Sequence, residues 1–130
     1  MAGKYGELAE RLGISVVTAT PELVVGTLPV AGNTQPAGCL NGGATAALAE
    51  TLAGIGATLH GEAVSRAAVG VSLSIHHHRA VWDVPGAHVI GHAIAAHLGR
   101  RIADYRVEIH DDDGQLVASA LLTCAMLEHR

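Results

Sequence analysis

The chain has 130 residues, of which 49% are apolar and 15% charged, and its formal net charge is −4. This is the composition of one folded domain spanning residues 1–130, and it excludes a disordered segment or a basic nucleic-acid surface. With no Phe, one Trp and two Tyr, there is no aromatic platform for bases, and the core falls to Ala, Val, Leu and Ile.

The opening MAGKYGELAERLG reads as a short amphipathic helix over residues 5–12, stopped by Gly13, and not as a signal peptide. Residues 23–28, LVVGTL, are strand-like and lie between Pro21 and Pro29. Residues 31–40 carry Gly, Asn and Pro and form a loop. The main helix is expected over 44–60, where Leu48, Leu52, Ile55 and Leu59 recur at helical spacing. Ala46, Ala47, Ala49, Ala53 and Ala57 make its other faces nearly as apolar, the pattern of a buried helix. Strands are expected over 69–75, 87–98, 105–110 and 115–127, with the DDDG of 111–114 as a hairpin turn. Consecutive strands with short connections imply an antiparallel sheet, and a helix apolar nearly all round needs a curved sheet to cover it. The expected class is α+β.

Glu50 is the one acid inside that alanine-rich run. A lone glutamate on a helix is ordinarily solvated. A buried helix gives it a different weight, because buried carboxylates are rarely idle.

The stretch QPAGCLNGGATAALAET resembles the signature of the hotdog acyl-CoA thioesterases, in the branch of the hydroxybenzoyl-CoA, phenylacetate-pathway and enterobactin-proofreading enzymes. Their pattern is Gln, a nearby Pro, His-Gly-Gly, and an acid eight residues after the first Gly; Gln35, Gly42, Gly43 and Glu50 stand on those positions. Downstream, HHHRAV, HLGRR and the DDDG hairpin follow in the family's order, so the resemblance spans roughly residues 35–127. It implies a hotdog fold, in which a curved antiparallel sheet wraps one long central helix, here with a short N-terminal helix before it. It also implies acyl-CoA hydrolysis in a homodimer or homotetramer whose chains share active sites. Two departures bear on rate and substrate class. Asn41 stands where the family has His, and Gly54 stands where some relatives carry Ser or Thr one turn after the acid.

Thioester hydrolysis needs a donor for the oxyanion and a carboxylate that attacks or activates water. Gly42 at the helix start offers a backbone N–H, aided by the helix dipole, and Asn41 is a natural N-cap. Glu50 is then nucleophile or general base, and Gln35 orients the reactants. Eight residues of helix put Gly42 and Glu50 about 12 Å apart along the axis, too far for one carbonyl to touch both. They therefore act together only across a dimer interface.

Around these, Thr51 and Gly54 are candidates for the acyl group, and Gly43 is one for the substrate or simply for packing at the helix start. Relatives place polar residues where His76 and His77 stand. HLGRR is similar to the family's nucleotide-contacting strand end, which makes Arg100, with Arg79 and His97, candidates for CoA. Trp82 suits an acyl chain, an adenine or an interface. His76 and His78 are too few for a structural zinc site, and no metal or cofactor is expected beyond the CoA of the substrate. Cys39 and Cys124 lack motif spacing and read as free, unreactive thiols of a cytoplasmic protein. No apolar run is long enough to span a membrane. The alternative function is a non-catalytic acyl-CoA-binding protein. A hydratase is disfavoured, because no Asp–His pair stands at hydratase spacing.

Overall fold

The computed structural model describes residues 3–129. Two helices and six strands follow in the order α1 (Glu7–Leu12), β1 (Ser15–Ala19), β2 (Leu23–Pro29), α2 (Gly42–Val64), β3 (Arg66–His77), β4 (His88–Leu98), β5 (Ile102–Asp111) and β6 (Leu116–Glu128). The strands form one antiparallel sheet in the order β1-β2-β4-β5-β6-β3, and α2 packs against every one of them. This is the wrapped-helix arrangement that the resemblance implies.

Local chemistry accounts for the ends. Asn41 caps α2, its side-chain oxygen accepting from the Gly43 N–H at 2.8 Å, and the chain leaves the helix through Ser65 in the left-handed conformation. In the DDDG turn, Asp111 Oδ1 accepts from the N–H groups of Asp113 and Gln115, and Gly114 supplies the positive φ. Leu52 of α2 drives into the sheet where Gly26 of β2 pairs with Gly91 of β4; a Cβ at these positions would stand 2.6 and 2.8 Å from its methyl groups. Gly56 likewise lies on the ring of Tyr105, whose hydroxyl donates to the Pro21 carbonyl.

Three expectations need correction. The sequence pattern predicts no strand before Leu23, yet β1 forms there. It is an edge strand with only one half-buried residue and a bulge between Val16 and Thr18, so it carries no alternating signal. The main helix is longer than expected, because packing holds it through Gly54, Gly56 and Gly61. The face of that helix also differs. Leu48 and Leu52 are in the core, but the stripe continues through Ala49, Ala53, Gly56, Ala57 and His60, while Ile55 and Leu59 are half-buried on another side. Small residues face the sheet because the helix comes so close to it.

Candidate active site

Two cavities flank the contact between α2 and β3, which folds back along the helix. The first is a cleft of about 590 Å3 that holds Glu50, Thr51 and Gly54, with Ile55, Thr58, Leu59 and Glu62 continuing the same helix face. Ala68 and Gly70 of β3 and Cys124 of β6 contribute a wall, and Lys4, Tyr5 and Gly6 contribute another. Within the chain Glu50 is exposed, which corrects the expectation of a carboxylate enclosed by a buried helix. Its carboxylate lies on Gly70, where a Cβ would stand 2.5 Å from Oε2. Gly70 pairs with Cys124, and the strand bulges immediately afterwards, between Gly70 and Ser72.

The second cavity, of about 400 Å3, holds Gly42, Gln35, Arg79, His77 and His78, with Cys39, Thr45 and Val81 among its other walls. His77 sits against Gly42, so a Cβ there would meet its Nε2 at 2.8 Å. Thr45 Oγ1 donates to the Gly42 carbonyl at 2.9 Å and lies 3.5 Å from His77 Nδ1. Among the described residues the Gly42 N–H has no hydrogen-bond acceptor, as befits a first-turn donor. Gln35 is held by its own loop: its amide donates to Cys39 Sγ at 2.8 Å, and its oxygen accepts from the Ala37 N–H.

The structure thus groups Gly42, Gln35, His77 and Arg79 in one cavity and Glu50, Thr51 and Gly54 in another. Asn41 and Gly43 line a third groove, against Leu8 and Leu12 of α1. His76 is exposed on β3 opposite Ser119, and His97 and Arg100 stand at the β4–β5 turn; these three line none of the cavities described. Trp82 is 57% exposed on the loop after β3. Sequence reasoning missed Thr45, Cys39 and Cys124 as wall residues. Thr45 had a usable signal, one turn into the helix after Gly42, but the cysteines come from distant chain segments.

Burial pushes the Cys124 thiol up to about 11, with the nearby Glu50 and Asp104 charges adding to the shift. Burial raises the Tyr105 hydroxyl as well, with smaller contributions from Cys124 and Glu22. Among the described residues no cluster of three His, Cys, Asp or Glu is placed to hold a metal, and no helix is long and apolar enough to cross a membrane.

A family profile described as the thioesterase superfamily matches residues 37–118. The chain belongs to that superfamily. This thioesterase is 38% identical over 130 residues to the proofreading thioesterase EntH of Cronobacter turicensis, covering 97% of this chain and 90% of that protein. The crystal structure of AziG from S. sahachiroi superposes with a TM-score of 0.90 at 28% identity, covering 97% of the thioesterase and all of its counterpart. The phenylacetic acid degradation protein PaaI of Thermus thermophilus, solved as a variant, gives a TM-score of 0.83 at 30% identity, covering 92% and 98% of the two chains. The fold is therefore the hotdog fold, and the thioesterase is a thioester hydrolase.

Proposed function

We propose that the thioesterase hydrolyses aryl- or medium-chain acyl-CoA to the free acid and CoA, at sites shared between two copies of the chain. Glu50 serves as nucleophile or general base. The Gly42 N–H of the other copy polarises the thioester carbonyl, and Gln35 beside it orients the reactants. In the water route, Glu50 takes a proton from water, whose oxygen attacks the carbonyl. The tetrahedral intermediate then expels the CoA thiolate, which is protonated as it leaves. In the covalent route the carboxylate attacks first and expels the CoA thiolate; water then hydrolyses the resulting anhydride to the free acid and the restored carboxylate, its proton passing to the thiolate. Neither route needs a cofactor. Arg79, in the Gly42 cavity, suits a CoA phosphate, and Arg100 is the second candidate.

The observation that carries this reading is the division of the site residues between two cavities along one exposed edge strand, one near its middle at Gly70 and one at its end at His77. Glu50 lies on Gly70, and Gly42 lies on His77. Among the described residues β3 has only β6 as a neighbour, and Val71 is 61% exposed on it. A long unpaired edge is a template for another strand. A twofold axis through Ser74 would pair Leu73 with Ile75 and Ser72 with His76. The bulge at Val71 takes up one residue, so Gly70 would then face His77 of the second copy. Glu50 of each chain would stand by Gly42 of the other.

Release of CoA thiol from benzoyl-, phenylacetyl- and straight-chain acyl-CoAs, measured for the wild type and Glu50→Ala, tests this reading. Loss of most turnover in a folded variant supports it. Unchanged turnover in the variant rejects Glu50 as the catalytic acid.

A further inference from the structure

We infer that the Glu50 cleft is a ruler for a straight acyl chain of medium length, opened by Gly54 and closed by Glu62. The inference rests on the proposed acyl site at Glu50. Glu50, Gly54, Thr58 and Glu62 recur every fourth residue on α2 and line the same cleft. At about 1.5 Å of rise per residue, the last three stand roughly 6, 12 and 18 Å beyond Glu50 along the helix.

The chemistry changes along that path. Next to Glu50, Gly54 has no side chain, and a Cβ there would meet nothing within 4 Å. The floor is open at the position where some relatives carry a hydroxyl. Ile55, half-buried at the edge of the core, and Leu59 supply apolar surface, and Ala68 and Cys124 continue it on the sheet side. Thr58 then introduces a hydroxyl, and Glu62 ends the row with an exposed carboxylate.

An extended chain advances about 1.2 Å per bond. A decanoyl group with its carbonyl at Glu50 therefore ends near Thr58, with its methylenes over the apolar section. A butanoyl group leaves most of that section wet. A palmitoyl group brings its last methylenes against the Glu62 carboxylate, an unfavourable contact because the charge loses water. The preferred substrates are thus straight chains of about eight to ten carbons, above both shorter and much longer ones.

The test uses the 130-residue chain and the non-hydrolysable thioethers butyl-, decyl- and hexadecyl-CoA, titrated by calorimetry beside hydrolysis of the matching acyl-CoAs. The wild type is expected to bind decyl-CoA at least tenfold more tightly than either of the others. Gly54→Val is expected to lower the decyl-to-butyl affinity ratio at least fivefold. Glu62→Leu, at an exposed position that tolerates change, is expected to raise the hexadecyl-to-decyl ratio at least fivefold. Equal affinities across the three lengths, no binding at all, or ratios unmoved by both variants would overturn the ruler. Length-selective binding without hydrolysis would leave the ruler standing and remove the catalytic reading instead. Hydrolysis that depends on Glu50 but ignores chain length would do the reverse.

Discussion

The Glu50 carboxylate rests on Gly70, so close that a Cβ on that glycine would stand 2.5 Å from Oε2. A methyl group there must push the carboxylate aside. Gly70→Ala is therefore expected to lower kcat by about tenfold or more, since small displacements of a reacting group are costly. Thermal melting checks that the fold survives, and steady-state kinetics read the loss. An unchanged kcat would mean that the contact does not position Glu50 for chemistry.

Gly42 and His77 stand in the same relation at the C-terminal end of β3, where a Cβ on Gly42 would lie 2.8 Å from Nε2. Gly42→Ala is expected to lower kcat/KM by roughly tenfold, by moving the ring and crowding the N–H. Adding His77→Ala should recover part of that loss, because the clash disappears. A double-mutant cycle reads this as non-additivity. Strict additivity would place the two residues in separate roles.

Leu52 is fully buried between Gly26 and Gly91. Leu52→Ala leaves a cavity that the sheet can close only by bending, and is expected to cost about 2–5 kcal/mol of unfolding free energy. Urea denaturation measures it, with the shift in midpoint compared with that of a surface Leu8→Ala control.

Cys124 gives a pH signature of stability. Its thiol is raised from the ordinary 9.0 to about 11 in the folded chain. Below pH 9 both the folded and the unfolded thiol keep the proton, and the contribution to stability is complete. Between pH 9 and 11 the unfolded chain releases the proton while the folded chain holds it, so stability falls as pH rises. Tyr105 acts in the same direction at higher pH. Comparing urea midpoints of the wild type and Cys124→Ala across this range isolates the cysteine; the variant should lose less stability on the way up.

Much of this arrangement is legible in the sequence. The long helix, the four later strands and the DDDG hairpin follow from periodicity and turn chemistry, because each signal is local. Gly42 and Glu50, eight residues apart on one helix, line two different cavities, a separation that their spacing in the sequence already implies. What stayed hidden depends on tertiary packing. β1 has no alternation because almost nothing covers it. An alanine-rich helix does not declare which face meets the sheet. Leu52 enters where Gly26 and Gly91 leave room, Gly56 meets the Tyr105 ring, and Ile55 and Leu59 are left to line the cleft. Ala68, Cys124 and Cys39 reach the cavities through strand register and loop closure, which no spacing encodes.

In the proposed dimer each site takes Glu50 from one copy and Gly42 from another, and mixing two inactive variants tests that sharing. Glu50→Ala and Gly42→Val are each purified, combined one to one, and allowed to exchange subunits. A mixed dimer with shared sites keeps one intact site of its two, so random exchange should restore about a quarter of wild-type activity. Activity no higher than the average of the separate variants, with exchange verified by native mass spectrometry, would contradict sites shared between copies.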